Sequence, residues 1–156
     1  LTIIRTDPSL ARLDVSFRAL LRNWFSPSFL VLRPIDWGTP ANILEKIIAY
    51  EAVHEIESWD DLRSRLAPDD RRCFAFFHPS MEDEPLIFVE VALTSEIPGQ
   101  INEVLETDRA MIDATDASCA IFYSISNCQK GLAGISFGNF LRKHDAQALQ
   151  REPPSL

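Results

Sequence analysis

The chain has 156 residues, 46% of them hydrophobic and 24% charged, with 23 acidic side chains against 15 basic ones and a formal net charge of −8. That length and apolar content suffice for one ordinary domain with a real core and exclude a disordered polymer. The acidic balance excludes a general nucleic-acid or anionic-membrane surface, which needs a field of the opposite sign, yet local dipoles and a few cations are enough to hold one phosphate-bearing ligand.

Asp7 and Pro8 suit an N-cap and a first helical residue. After them Leu10, Leu13, Phe17, Leu20, Leu21 and Trp24 recur at three- and four-residue steps, which predicts a helix through Phe25 that Ser26-Pro27 ends. Phe29 to Leu32 reads as a first strand. Thr39-Pro40 opens a second helix with the stripe Ile43, Leu44, Ile47 and Ile48. Ser58-Trp59-Asp60-Asp61 resembles a capping box with Asp for the usual Glu, opening a third helix that Pro68 terminates. Arg72 to His78 is a predicted strand, the acidic run Ser80 to Glu84 a loop, and Pro85 to Thr94 a strand. This last strand is apolar at nearly every position except Glu90, so both of its faces should be covered. A short helix fits Ile101 to Leu105, a strand fits Ala117 to Ser126, and a last helix runs from about Ile135 to Gln150.

Between that strand and that helix, three of the five glycines fall within Gly131-Leu132-Ala133-Gly134-Ile135-Ser136-Phe137-Gly138. A glycine turn from strand to helix brings bare amides and the positive end of the helix dipole to one place, where phosphate binds. The same glycines also suit a tight turn that only lets a helix pack near a sheet. Spacing does not separate these readings.

The three cysteines, Cys73, Cys119 and Cys128, lack metal-ligand spacing, and Cys73 and Cys119 lie in strand-like runs where cysteine acts as a small buried hydrophobe. With no twenty-residue apolar span and no secretory pattern of a basic start before an apolar stretch, a reducing cytoplasm is the expected compartment. The chain begins with Leu1 and ends in Pro153-Pro154-Ser155-Leu156, which reads as an internal piece of a longer protein.

The element order is similar to the first part of the GNAT acyltransferase fold, whose loop is Gln/Arg-x-x-Gly-x-Gly/Ala. Cys128-Gln129-Lys130-Gly131-Leu132-Ala133 matches its glycine and alanine positions but has Cys at the first. Longer strings are more specific. Phe122-Tyr123-Ser124-Ile125-Ser126, Gln129, Gly131-Leu132, Gly134 and Gly138-Asn139-Phe140-Leu141 resemble the malonyl-CoA decarboxylase family. So do Trp24-Phe25, Phe29-Leu30, Glu51-Ala52-Val53-His54, Arg71-Arg72-Cys73, Glu84-Pro85-Leu86 and Val91-Ala92-Leu93-Thr94, in order along essentially the whole chain and closest to bacterial members.

The resemblance implies a mixed α+β, GNAT-like acyl-CoA-binding fold that is incomplete here. Residues 1–26 would end an N-terminal helical domain, and residues 27–156 would form the first half of the catalytic domain. It aligns Ala133, Gly134, Ile135, Ser136, Phe137, Gly138 and Asn139 with the family's malonyl-CoA-binding loop. The implied reaction converts malonyl-CoA to acetyl-CoA and CO₂, without metal or redox cofactor, coenzyme A being part of the substrate. The implied full-length protein is a homo-oligomer without nucleic-acid or membrane partners.

The family's catalytic serine and histidine would lie beyond this chain, in Ser-Pro-Ile-Pro and His-x-x-Asn-Gly-Ala segments, so no catalytic role falls on Ser124, Ser126, His54, His78 or His144. Ser124, near the end of the strand aimed at the glycines, is expected to satisfy nearby backbone, with substrate contact as the alternative, His54 to bond a carbonyl or carboxylate at a helix end, and His78 to be structural or solvent-facing. His144, beside Arg142 and Lys143, and the run Glu82-Asp83-Glu84 are expected to be solvated. A non-catalytic acyl-CoA or nucleotide-binding module, or a GNAT-type acyltransferase, is the alternative reading of the same turn.

Overall fold

The computed structural model describes residues 11–26, 29–106 and 108–129. They form a mixed α+β fold around one four-stranded antiparallel sheet of order β1-β2-β3-β4, made by Val31–Ile35, Arg71–His78, Met81–Thr94 and Cys119–Asn127. Helix α1 is Ala11–Trp24, α2 is Ala41–Tyr50, α3 is Trp59–Leu66 and α4 is Ile101–Leu105, and a 3₁₀ turn spans Ala114–Asp116.

The expected stripe of α2 is what it buries: Ile43 and Ile47 are fully covered, Leu44 nearly so, and Ile48 packs at the margin. Ser58 caps α3 by accepting from the Asp61 N–H at 3.1 Å, while Asp61 Oδ2 accepts from the Glu57 N–H at 3.1 Å. The capping box therefore forms with Asp reaching one residue further back than the usual Glu. Helices α2 and α3 lay Ile43, Leu44, Ile47, Leu62 and Leu66 on the face of the sheet that carries Cys73, Ala75, Phe77 and Phe88. The opposite face, with Phe74, Phe76, Ile87, Val89, Val91 and Leu93, is covered by Phe25, Leu30, Ala117 and Ile112. Strand β3 is therefore buried on both sides, as its unbroken apolar run predicts.

All four strands shift from the sequence reading, β2 by one residue at its start and β4 to Cys119–Asn127, and two of the shifts have a clear cause. The first strand starts at Val31 rather than Phe29, because Phe29 is drawn into a turn by its N–H bond to the Ser26 carbonyl at 2.9 Å. It then continues through Arg33 and Pro34, proline being tolerated on an edge strand. The third strand starts at Met81, so the acidic run lies within β3 and not in a loop. Cations hold it there: Arg33 donates to the Glu82 carbonyl at 2.9 Å, and Lys46 to the Asp83 carbonyl at 2.8 Å. The helix expected from about Ile135 to Gln150 falls outside the described residues.

Phe88 is fully buried at the centre of the helix-facing core. Phe88→Ala should destabilise the fold by about 3–5 kcal/mol through lost burial and the cavity left behind. Urea unfolding checks this; a loss under about 1 kcal/mol would mean that the site collapses freely or is not core.

Candidate functional site

The helix-facing side of β3 and β4 breaks the apolar pattern. Glu90, Ser124 and Ser126 are all buried on it, with Ser126 opposite Phe88 and Ser124 opposite Glu90. The register then shifts, since Val91 pairs with Phe122, leaving Tyr123 as an extra residue in β4. Such a bulge turns two consecutive side chains toward one side. Tyr123 packs with Ala92 and Val104, and the Arg71 guanidinium sits 5.9 Å from its ring centre.

The linker between α2 and α3 closes over this polar streak. Glu51, just past the end of α2, accepts from the Val53 and His54 N–H groups at 2.7 and 2.8 Å through Oε1. The Ser124 hydroxyl lies 2.9 and 2.8 Å from its two oxygens, and Ser126 donates to Oε2 at 3.1 Å. Ser126 Oγ in turn accepts from the Ala52 N–H at 3.3 Å. Arg65 of α3 fastens the far end of the linker, donating to the His54 and Glu55 carbonyls at 2.7 and 3.0 Å. It also bridges Asp61 at 3.0 Å and approaches Glu90 at 3.5 Å.

Glu90 is completely covered, and its Oε1 and the Tyr123 hydroxyl have no hydrogen-bond partner among the described residues. Burial is the main reason that the Glu90 carboxyl is pushed up to about 7; Arg65 opposes the shift and the Glu51 charge adds to it. Burial likewise raises the Tyr123 phenol, with Glu90 adding to the effect.

A second carboxylate grips the last described residues before the glycine-rich segment. Glu84 accepts from Lys46 at 2.6 Å, from the Tyr50 hydroxyl at 2.8 Å and from the Gln129 side-chain amide at 2.8 Å. Its pKa is lowered first by the Lys46 bond, then by the Tyr50 and Gln129 bonds, against desolvation. The Cys128 N–H adds a ladder-like bond to the Leu86 carbonyl at 2.9 Å. Buried Cys128 has its thiol pushed up to about 12, chiefly by desolvation, so it is no nucleophile at neutral pH.

Several sequence expectations meet their residues here. Ser124 satisfies a buried carboxylate rather than backbone. Glu84 is a structural anchor rather than a solvated charge, because Lys46 and Tyr50 lie within reach on α2. His54 offers its backbone N–H to Glu51 and stands 6.4 Å, ring to ring, from Tyr123. His78 is structural, its ring 5.4 Å from that of Phe25 and its Nδ1 accepting from the Ser80 N–H at 3.2 Å. His144 and the proposed loop residues Ala133, Gly134, Ile135, Ser136, Phe137, Gly138 and Asn139 lie outside the described residues. Glu51 entered the sequence reading only within the string Glu51-Ala52-Val53-His54, with no role assigned, and Arg65 not at all; Glu90, the one charge in the apolar run Pro85 to Thr94, was the available signal. Among the described residues no group of three or more His, Cys, Asp or Glu is arranged to hold a metal ion.

A family model for the malonyl-CoA decarboxylase C-terminal domain matches residues 28–156. The chain belongs to the malonyl-CoA decarboxylase family. The mitochondrial malonyl-CoA decarboxylase of Anser anser anser is 38% identical over 151 residues, covering 96% of this chain and 30% of that protein. The mouse mitochondrial enzyme is 37% identical over 155 residues, again covering 96% of the chain and 30% of its own length. The crystal structure of malonyl-CoA decarboxylase from Agrobacterium vitis superposes with a TM-score of 0.92 at 58% identity, covering 98% of this chain and 38% of that one. That from Rhodopseudomonas palustris gives 0.89 at 59% identity, covering 97% and 37%. The chain thus corresponds to roughly a third of the length of the malonyl-CoA decarboxylases it matches, and its α+β fold is the GNAT-like one that the resemblance implied.

Because the folded pKa of Glu90 lies above its ordinary value of 4.5, the stability it contributes is complete below about pH 4.5 and is lost as pH rises through about 7. Glu90→Gln imitates the protonated form. Its melting temperature relative to the parent protein should therefore rise between about pH 5 and pH 8. A difference that stays constant over that window would show that this carboxyl does not titrate there.

Proposed function

We propose that this chain is the coenzyme-binding part of a malonyl-CoA decarboxylase, and that the full-length protein converts malonyl-CoA to acetyl-CoA and CO₂. The likeness to the Agrobacterium vitis enzyme, at 58% identity across 98% of the chain, carries the reading. It is supported by β4, whose end is fixed by Glu51 and Glu84 immediately before the glycine-rich segment. In this reading Ala133 to Asn139 meet the pyrophosphate through backbone N–H groups, and the end of β4 runs beside the pantetheine arm.

The chemistry asks little of a cofactor. When the carbon–carbon bond to the carboxylate breaks, its electron pair passes to the thioester as an enolate and CO₂ leaves. A proton then returns to carbon to give acetyl-CoA. The protein must orient the carboxylate out of the thioester plane, stabilise the oxyanion and deliver the proton. Coenzyme A arrives as part of the substrate, and no metal or redox group enters this scheme. This segment supplies binding and orientation, while the serine and histidine of the reaction belong to other parts of the full-length protein. Residues 1–26 are then the end of a helical domain, and the full-length protein is a cytoplasmic homo-oligomer.

Full-length protein incubated with malonyl-CoA should release CO₂ and acetyl-CoA in equal amounts. Acyl transfer to an amine, without CO₂ release, would instead make it an acyltransferase. Gly134→Val should weaken coenzyme A binding by blocking close backbone approach, as read by calorimetry. Unchanged affinity would remove this turn from the site.

A further inference from the structure

We propose that Glu51 is a positioning residue for the coenzyme site, a role that rests on the decarboxylase reading and assigns to it a residue outside the glycine turn. Its carboxylate joins two separate pieces of chain. On one side are the Val53 and His54 amides of the α2–α3 linker, and on the other the Ser124 and Ser126 hydroxyls of β4. Among the described residues no cation forms an ion pair with it. Its charge is balanced by oriented N–H and O–H dipoles, an arrangement that works only while all the donors keep their places.

The place of this knot in the fold is what ties it to ligand binding. Strand β4 is the last in the sheet order, and among the described residues no strand pairs with its outer edge. That edge offers backbone groups to whatever lies beside it. Ser126 is five residues before Gly131, so the glycine-rich segment follows the Glu51 knot almost at once in the sequence. Packing alone does not demand this chemistry: two serines and a carboxylate take positions beside Phe88 and Cys128 where apolar side chains complete the same core. The charged knot gives direction instead, holding the linker and the strand at one separation. A ligand lying along β4 meets that strand in the ground state and the transition state alike, so a loosened knot acts on binding more than on the chemical step.

The test uses full-length protein and three measurements: the KM and kcat for malonyl-CoA, and the Kd of coenzyme A by calorimetry. Glu51→Gln places an NH₂ group among donors, and the double variant Ser124→Ala with Ser126→Ala removes only the strand side. Each should raise KM and Kd about tenfold or more and leave kcat within about threefold, since charge-assisted hydrogen bonds of this kind are lost. Glu51→Asp, which keeps the carboxylate, should recover part of the affinity. A purely structural role predicts the opposite split, with a smaller active fraction and lower apparent kcat at unchanged KM. That split in Glu51→Gln, or in the double serine variant should the first not fold, would overturn the proposal while parent activity stood. Parent protein that neither decarboxylates malonyl-CoA nor binds coenzyme A would overturn the decarboxylase reading and this role with it.

Discussion

A buried carboxylate with no ion-pair partner among the described residues must be met by hydrogen-bond donors, and Glu51 meets this demand by drawing the α2–α3 linker down onto β4. Much of the geometry follows from that need. Once Glu51 is fixed, α2 cannot rotate, because Tyr50 and Lys46 on the same helix must also reach Glu84. Glu84 then holds Gln129, so one helix end secures β4 and the residues just after it. The backbone bond from Cys128 to Leu86 lies between them. The segment that follows starts from a fixed position and a fixed direction.

Arg65 solves the complementary problem. Glu90 lies in the middle of a strand covered on both faces, and the guanidinium beside it is shared with Asp61 and two linker carbonyls. The charge on Arg65 is thus spread over four partners, and the approach to Glu90 at 3.5 Å is the longest of them. Burial therefore wins at Glu90, whose carboxyl is pushed toward neutrality, whereas the half-buried Glu84 is pulled the other way by its direct bond to Lys46. Two carboxylates six residues apart on the same strand are held in opposite protonation tendencies by their surroundings.

The parts of this architecture that follow a local period were legible in the sequence. The stripe of α2, the cap of α3 at Ser58, the doubly covered β3 and the short helix at Ile101–Leu105 all have the expected form. What the sequence hid depends on partners far along the chain. The run Glu82-Asp83-Glu84 looks like a solvated loop until Arg33 and Lys46, 49 and 37 residues away from their carbonyl partners, draw it into the sheet. Ser124 and Ser126 look like strand serines until Glu51, more than 70 residues earlier, is placed against them. The bulge at Tyr123 has no local signal, because it contains neither glycine nor proline and is set by the pairing with β3. Family likeness reached the identity of the segment by another route, through strings of residues whose physical purpose emerges only in the fold.

The central proposal is that coenzyme A lies along the outer edge of β4 with its pyrophosphate on the amides of the glycine-rich segment. Amide hydrogen exchange of the full-length protein with and without coenzyme A addresses it directly. The account predicts slower exchange upon binding in Gly131 to Asn139 and along β4. Binding that leaves these amides unchanged and slows exchange only elsewhere would contradict it.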